Sequence, residues 1–268
     1  MPGQGRRARR ALGVMGAVAA LALTGCGSPS TSTDAPPAGR STGASGGPVA
    51  GTVTVLAAAS LTESFDAIQA ELHHTHPALT VRISYGSSAT LVQQVNQGAP
   101  ADVLALAGEA AADPLDASLV RSTTVFASNS LEIAVPPGNP GHVTALDDLA
   151  RPDLKVVLCE STVPCGAAAA TTLEKAHVNA HVVSREIDVK ATLAKVSLGE
   201  ADAAVVYHSD VVAAKGAVRG VPIPASVNTD LRYPVIALDD QPGTRAFIDA
   251  VLSPDGRRTL DALGFGAP

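Results

Sequence analysis

The sequence predicts an α/β protein whose body, residues 51–268, consists of mostly parallel sheets covered by helices. Short β-branched runs alternate with segments of helical periodicity, and the runs are apolar throughout, which is typical of strands buried on both faces. The body also exceeds the commonest domain size and permits two lobes. Apolar residues are plentiful and tryptophan is absent, so the core is expected to be built from Ala, Val, Leu and Ile.

The first half of the body contains three strand predictions with helices between them. TVTVLAA (52–58) predicts a strand, and the segment 61–74 that follows carries Phe65, Ile68 and Leu72 at helical spacing. LTVRISY (79–85) predicts the second strand and ATLVQQVNQG (89–98) the second helix. DVLALA (102–107) predicts a third strand.

The second half continues the alternation. Strands are predicted at SLEIAVPP (130–137), KVVLCE (155–160) and DAAVVYH (202–208). Helices are predicted at GAAAATTLEKA (166–176) and VKATLAKVSLG (189–199). No internal repeat is visible in the sequence.

The amino terminus, residues 1–25, has the features of a secretory signal. A basic stretch, RRARR, precedes an apolar run that is shorter than the roughly 20 residues of a transmembrane helix. The four residues LTGC that end at Cys26 resemble a bacterial lipobox, which implies cleavage before Cys26 and lipid attachment to its sulfur. A plain signal peptide with a chance cysteine is the alternative, and export through either the general or the twin-arginine route remains open.

Residues 26–50 are predicted to be a disordered, lipid-anchored linker. Of the 24 residues in 27–50, 17 are Gly, Ser, Pro or Thr, which cannot bury a core. Removal of residues 1–25 takes away four arginines and no acidic residue, and changes the net charge from −6 to −10. Nucleic-acid binding needs cationic patches, so this class of function is disfavoured.

Cys159 and Cys165 stand six positions apart in CESTVPCG, and the chain has three cysteines in all. With Cys26 lipidated, the two remain as a pair in an oxidising compartment, where a disulfide is the usual state. Free thiols and a metal site are the alternatives. A structural metal site needs about four ligands, and this segment contains no histidine. The disulfide is therefore the favoured interpretation.

Ligands of open α/β sheets bind at the carboxyl ends of strands, where helices begin, so the residues that open each predicted helix are candidates for a binding site. These residues offer backbone N–H groups or hydroxyls and no positive charge. The candidates are Ser60, Ser87, Ser88, Cys165, Gly166 and Val189. Helix N-termini of this kind bind anions through N–H groups that lack an intrahelical partner. Sequence spacing alone does not show that these helix starts converge.

A simpler interpretation applies to each serine taken singly. Serine at a helix start is most often an N-cap. Glu63 follows Ser60 by three residues, which is the spacing of a capping box and predicts that Ser60 caps the first helix.

Four motifs together resemble the periplasmic molybdate-binding proteins of ABC importers. They are VTVLAAASLTESFDAI, YGSSATLVQQVNQGAPADVLALA, VPCGAAAATTLEK and DAAVVYHSDVVAAKG, and with them the resemblance runs in order over nearly all of the body. It implies a two-lobed, type II periplasmic-binding-protein fold with a hinge of two crossing segments and the ligand in the cleft. Lobe 1 would comprise 51–130 plus 234–268, and lobe 2 would comprise 131–233.

Carried over position by position, the resemblance implies five ligand-binding residues. Ser60, Ser88 and Tyr207 would donate through hydroxyls, and Cys165 and Val189 through backbone N–H groups. Relatives often carry alanine at the position of Cys165, but the change leaves the N–H in place. The resemblance also implies a protein that is not an enzyme and has no cofactor and no metal held directly by protein side chains. Its partners would be molybdate or tungstate, an ABC permease with its ATPase and the membrane through the N-terminal lipid, and the protein would be a monomer.

An all-donor site suits molybdate because this anion carries no proton at neutral pH and presents acceptor oxygens alone. Phosphate usually carries a proton at that pH, and a donor facing a donor costs about 1–3 kcal/mol per unpaired group. Sulfate matches molybdate in charge and shape, so a sulfate-type binder is the alternative within the class. A secreted hydrolase that uses Ser60 or Ser88 with a distant histidine is the alternative from another class, although the body, residues 51–268, contains no G-x-S-x-G motif.

Overall fold

The structure is a computed structural model and describes residues 49–268. The predicted signal peptide, the predicted lipid-attachment residue Cys26 and all but the last two residues of the predicted linker lie outside the described residues. Within the described part of the chain, no helix has the length and apolar character needed to cross a membrane.

Ten strands within residues 49–268 form two five-stranded sheets. The first sheet has the order β2-β1-β3-β10-β4, with β1 Gly51–Ala58, β2 Leu79–Gly86, β3 Val103–Ala105, β4 Ser122–Asn129 and β10 Leu231–Ala237. The second has the order β7-β6-β8-β5-β9, with β5 Leu131–Val135, β6 Val156–Cys159, β7 Val182–Glu186, β8 Ala203–Tyr207 and β9 Arg219–Pro222. Strand β10 is antiparallel to the other four strands of the first sheet, and β5 is antiparallel to the other four of the second. The prediction of mostly parallel sheets is thereby confirmed.

Helices cover both sheets, as the fold class predicts. Four pack with the first sheet and form the first lobe with it: α1 Thr62–Thr75, α2 Ser88–Asn96, α6 Pro242–Leu252 and α7 Pro254–Ala262. Three pack with the second sheet and form the second lobe: α3 Pro164–Lys175, α4 Val189–Ser197 and α5 His208–Ala213. The two-lobed α/β architecture is thereby confirmed.

The chain passes between the two sheets twice. Ser130 alone separates β4 from β5, and residues 223–230 connect β9 with β10. Leu231 already pairs with Asn129 in the first sheet. The predicted boundary after residue 233 therefore falls inside β10, and we propose that the second lobe ends before this strand.

The start of α1 differs from the sequence prediction. Ala59–Leu61 form a 3₁₀ turn, so Leu61 and not Ser60 is the N-cap residue of α1, and no side chain caps this helix. The predicted capping box of Ser60 and Glu63 is wrong because the extra turn places Ser60 too early in the chain. Both side chains are thus available for other partners.

Candidate functional site

A small pocket lies where strand ends of the two sheets face each other. Strands β1 and β2 pair in register to their last residues, Ala58 opposite Gly86, so the chain leaves both strands side by side. Helices α3 and α4 begin opposite these strand ends. The lining residues are Ala58, Ala59, Ser60, Gly86, Ser87, Ser88, Ala107, Val163, Pro164, Cys165, Asp188, Val189 and Tyr207. All five predicted ligand-binding residues are in this set, and their role as donors stays a prediction.

The pocket has the size of an ion site. Its cavity volume is ≈ 20 Å³, far below the roughly 300–1,000 Å³ of pockets that hold drug-sized ligands. A water molecule needs about 10–15 Å³ measured in the same way. The pocket therefore fits a compact anion and excludes a sugar or a peptide.

Ser60 is oriented by a chain of hydrogen bonds that begins near the first crossing segment. The Asn129 amide oxygen accepts from the backbone N–H of Ser130, at 3.1 Å, so its Nδ2 must act as the donor. That Nδ2 lies 3.4 Å from the Tyr233 hydroxyl, and this hydroxyl lies 3.1 Å from Ser60 Oγ. Because Nδ2 cannot accept, Tyr233 accepts from Asn129, which leaves its own proton available for Ser60. When Tyr233 donates in this contact, the Ser60 proton is free to point into the pocket.

Aromatic packing fixes Tyr233 in this chain. The Phe126 and Phe265 rings stand edge-on to it at 6.4 and 5.5 Å between centroids, and Tyr207 approaches at 6.1 Å. Tyr233 and Tyr207 are both buried. The hydroxyl that orients Ser60 is therefore held by well-packed side chains.

Ser88 is also left with a free proton. It is the first residue of α2, and its Oγ accepts from the backbone N–H of Ala107 at 3.0 Å. A hydroxyl that accepts one bond still has its O–H to donate. Ser88 is buried and lines the pocket, so the accessible direction for this donor is the pocket itself.

Two further hydroxyls in the pocket wall have no hydrogen-bond partner among the described residues. They are Ser87 Oγ and the Tyr207 hydroxyl, and both are buried. Ser87 is the N-cap residue of α2 but makes no capping bond. Burial raises the pKa of Tyr207 well above its usual value, so the phenol keeps its proton. Buried polar groups without partners are costly, so these two hydroxyls are candidate donors to a ligand.

Backbone donors complete the wall. Ser88 and Val189 are the first residues of α2 and α4, and Cys165 is the second residue of α3. At these positions the N–H has no intrahelical acceptor. Each helix also directs the positive end of its dipole at the pocket, an arrangement that favours negative charge there.

The disulfide prediction is confirmed. Cys159, the last residue of β6, is bonded to Cys165 with 5.8 Å between their Cα atoms. The Cys159 sulfur also lies 3.3 Å from Thr192 Oγ1 on α4. The bond closes the turn that presents the Cys165 N–H and packs it against the helix that presents the Val189 N–H.

The pocket wall carries little charge. Among the described residues, Asp188 is the one ionisable acid or base in the lining besides Tyr207. Asp188 Oδ1 accepts from the Ala191 N–H at 2.8 Å and so caps α4. Within residues 49–268, no cluster of three or more His, Cys, Asp or Glu is placed to hold a metal ion. The arrangement offers hydrogen-bond donors without a cation.

The hydrolase alternative lacks its base in this pocket. None of the described histidines lines it. His208, next to Tyr207 in the sequence, is exposed and lies 2.7 Å from Glu132 through Nδ1. A serine nucleophile needs a base within hydrogen-bond reach, so the geometry does not support this chemistry.

One buried acid lies just behind the pocket. Asp210, on the first turn of α5, is fully buried, and its Oδ1 lies 3.1 Å from the Lys190 ammonium. Burial raises the pKa of Asp210 to about 6, against the opposing effect of Lys190. Burial by itself would lower the pKa of Lys190, but the carboxylates of Asp210 and Glu63 outweigh it and raise that pKa.

The raised pKa of Asp210 predicts a pH-dependent stability. The folded state binds this proton more tightly than the unfolded state, so protonation of Asp210 stabilises the fold. This stabilisation is fully present below about pH 4 and is lost as the pH rises through 6. From pH 4 to pH 8 the free energy of unfolding should fall by about 2–3 kcal/mol more in the wild type than in Asp210→Asn. Urea unfolding across this pH range measures the difference. If the free energy of unfolding changed with pH to the same extent in both proteins, the raised pKa of Asp210 would be contradicted.

Sequence reasoning named Ser87 as a helix-start candidate but not among the five ligand-binding residues, and it did not select Tyr233 and Asn129 for the site. Ser87 was visible beside Ser88, and its N-cap position made a structural role the simpler interpretation. Tyr233 and Asn129 gave no local signal, because they reach Ser60 from distant strands. Their proximity depends on the order of the strands in the first sheet.

Comparison with known proteins identifies relatives over nearly the whole body. The family model for bacterial extracellular solute-binding proteins matches residues 53–266. The molybdate-binding protein ModA of Mycobacterium tuberculosis strain H37Rv is 34% identical over 261 residues, which cover 96% of this chain and 97% of the relative. ModA of Escherichia coli K12 is 28% identical, with 80% and 89% of the two chains covered. The periplasmic molybdate-binding protein of Azotobacter vinelandii shares the fold with a TM-score of 0.70 at 20% identity, covering 81% of this chain and 99% of that one.

Proposed function

The chain belongs to the bacterial extracellular solute-binding proteins, and from this membership we propose that it captures molybdate outside the cytoplasm and delivers it to an ABC importer. The family is one of solute-binding proteins and not of enzymes. The observation that carries the proposal is the small pocket lined by donors without a cation. Relatives named for molybdate binding at 34% identity support the choice of ligand.

The donor set favours a fully deprotonated tetrahedral oxyanion. Ser60, Ser87, Ser88 and Tyr207 each have a hydroxyl proton to give, and Cys165 and Val189 add backbone N–H groups. An anion that carries a proton would place it against a donor, at a cost of about 1–3 kcal/mol. Phosphate is thus rejected at neutral pH, while tungstate, nearly equal to molybdate in size, is accepted.

A competition titration tests the proposal. Calorimetry of the ligand-free protein with molybdate, tungstate, sulfate and phosphate should give one site that binds molybdate and tungstate, sulfate more weakly, and phosphate roughly 5- to 150-fold more weakly than molybdate. A site that prefers sulfate would favour the sulfate-type alternative. Absence of heat with every anion, together with turnover of an ester panel, would overturn the proposal.

We also propose that the protein is held at the outer face of the cell membrane by lipid on Cys26. The support is the LTGC motif and the linker composition of residues 27–50. Replacing Cys26→Ser should move the protein from the membrane fraction to the soluble fraction or the medium, as followed by immunoblot. A variant that stays in the membrane fraction would contradict the lipid anchor.

The proposed partners follow from this placement. The protein would act as a monomer, dock with its two lobes closed on an ABC permease coupled to an ATPase, and release the anion there. We propose that the ligand is the oxyanion itself, held by hydrogen bonds, with no cofactor and no direct bond from protein to metal.

A further inference from the structure

Three charged side chains bridge the two lobes beside the pocket. Glu63 lies on α1 of the first lobe, while Lys190 on α4 and Asp210 on α5 belong to the second. The Lys190 ammonium lies 2.8 and 2.7 Å from the two Glu63 carboxylate oxygens and 3.1 Å from Asp210 Oδ1. A bidentate contact of this kind fixes the distance between α1 and α4.

Each member of the bridge follows closely a residue of the pocket. Glu63 comes three residues after Ser60, Lys190 directly after Val189, and Asp210 three residues after Tyr207. The bridge therefore connects the segments that present donors from both lobes. Helix α4 also contacts the Ala59–Leu61 turn across the cleft. A change in the bridge would therefore shift the donors of the pocket relative to one another.

The bridge is partly shielded from water. Asp210 is fully buried, and the side chains of Lys190 and Glu63 are 26% and 39% exposed. Ion pairs in such surroundings are screened less by salt than those on an open surface. Opening of the cleft would separate Glu63 from Lys190 and leave Lys190 with the buried Asp210. The contact between Glu63 and Lys190 is thus available to stabilise the closed form alone.

We propose that Glu63 and Lys190, with Asp210 as the fixed anchor of Lys190, form a latch that holds the lobes closed on the bound anion and slows its release. The proposal rests on the function proposed above and assigns to Glu63 and Lys190 the role of positioning residues. Neither side chain lines the pocket. They act by holding the Val189 N–H of the second lobe against the Ser60 turn of the first.

Replacement of Glu63 distinguishes a latch from a simple attraction between Lys190 and the anion. If Lys190 acted by attracting the dianion alone, Glu63→Gln would remove a nearby negative charge, and the anion would bind more tightly. A latch predicts the reverse, because the glutamine loses the ion pair across the cleft. The sign of the change in affinity therefore distinguishes the two roles.

The experiment measures molybdate kinetics by stopped-flow tyrosine fluorescence for the wild type, Glu63→Gln and Lys190→Met. We expect Glu63→Gln to raise the dissociation rate about tenfold with little loss in the association rate. We expect Lys190→Met to raise dissociation by a similar factor and also to slow association. Lys195→Met is the matched control, because Lys195 on the same helix pairs with Glu200 of its own lobe at 2.7 Å. The control should keep both wild-type rates.

A second measurement needs no ligand. Small-angle scattering of the ligand-free proteins should show a larger radius of gyration for Glu63→Gln than for the wild type and Lys195→Met. This measurement keeps the latch testable if wild-type protein binds none of the anions, an outcome that would overturn the proposed function alone. Thermal unfolding of each variant identifies any that fails to fold.

Two results would overturn the latch. One is a Glu63→Gln protein that binds molybdate as tightly as the wild type, or more tightly, with an unchanged dissociation rate. The other is a ligand-free radius of gyration that is the same in Glu63→Gln and the wild type. In either case the bridge would be an ordinary ion pair of the folded protein.

Discussion

Replacing Tyr207→Phe is expected to weaken molybdate binding and, at the same time, to leave the ligand-free protein as stable as the wild type or more stable. The Tyr207 hydroxyl is buried and has no partner among the described residues. Removing it deletes an unpaired donor, which should raise the free energy of unfolding by up to about 1 kcal/mol. In the complex the same deletion removes a donor to the anion, which should cost about 1–3 kcal/mol, or roughly 5- to 150-fold in affinity.

Tyr85→Phe is the matched control for this change. The Tyr85 hydroxyl donates to Asp66 Oδ1 at 2.7 Å and lies outside the pocket. Its removal should lower the free energy of unfolding slightly and leave the affinity for molybdate unchanged. Calorimetric titration and urea unfolding of both variants give the four values. A Tyr207→Phe protein that loses stability and keeps its affinity would show that the hydroxyl has a structural role.

The opposite signs matter because they separate a ligand donor from a core hydroxyl. A hydroxyl that served the fold would have a partner, as Tyr233 does with Ser60 and Asn129. Stability and affinity would then fall together on its removal. If Tyr207 and Ser87 are donors to the anion, their unpaired hydroxyls lower the stability of the ligand-free protein in exchange for a site that is ready to bind.

Local sequence patterns predicted strands with a regular apolar pattern, alternating in β2 and continuous in β6. The predictions at 79–85 and 155–160 agree closely with β2 and β6. Strand β7 was missed because its sequence, VVSRE, ends in three polar residues, and the strand lies at the edge of its sheet. Such edge strands are defined by their neighbours more than by their own sequence.

Strand β10 was missed for a different reason. Pro234 lies inside it, and proline in a central strand normally argues against that assignment. The pairing of β10 with β4 shifts register between Tyr233 and Pro234, so the ladder is already interrupted where the proline has no N–H to donate. A single sequence does not reveal this irregularity, and the position of Tyr233 beside Ser60 depends on it.

The site was accessible to sequence reasoning as far as its donors lie at helix starts. Ser88, Cys165 and Val189 occupy the positions where N–H groups lack intrahelical partners. The alternation of strands and helices along the chain places such positions at the carboxyl ends of strands. The resemblance to a known family predicted that the donors of the two lobes meet in one cleft. The orienting chain through Tyr233 and the bridge between Glu63 and Lys190 connect residues more than 100 positions apart, so no local pattern contains them.

Replacing Gly166→Ala is expected to disable the pocket and to lower stability strongly. A Cβ at residue 166 would lie 2.8 Å from the Cys159 carbonyl oxygen and closer still to the carbonyl oxygen of Glu160. Both obstacles are backbone atoms, so neither can move aside as a side chain would. The disulfide between Cys159 and Cys165 ties the two ends of this turn together and prevents the turn from widening.

The Gly166→Ala clash must be relieved by movement of α3 or of the end of β6. Either movement shifts the Cys165 N–H, which precedes the substituted residue, and disturbs the bond from Val163 N to the Glu160 carbonyl at 3.1 Å. Overpacking of this kind costs about 1–3 kcal/mol and occasionally more. We expect a loss near the upper end in urea unfolding, because the obstacles are rigid, together with a drop in molybdate affinity of at least about tenfold.

Gly138→Ala is the control for the Gly166→Ala substitution, since a Cβ at residue 138 would meet nothing within 4 Å. It should keep the wild-type affinity and a stability within about 0.5 kcal/mol. If Gly166→Ala bound molybdate as the wild type does, the turn between Cys159 and Cys165 would be free to adjust, and the Cys165 N–H would not be held for the anion. If binding were lost while Gly138→Ala remained normal, the disulfide-closed turn would be the part of the second lobe that fixes a backbone donor. The glycine would then be required because the chain approaches itself too closely there for any side chain.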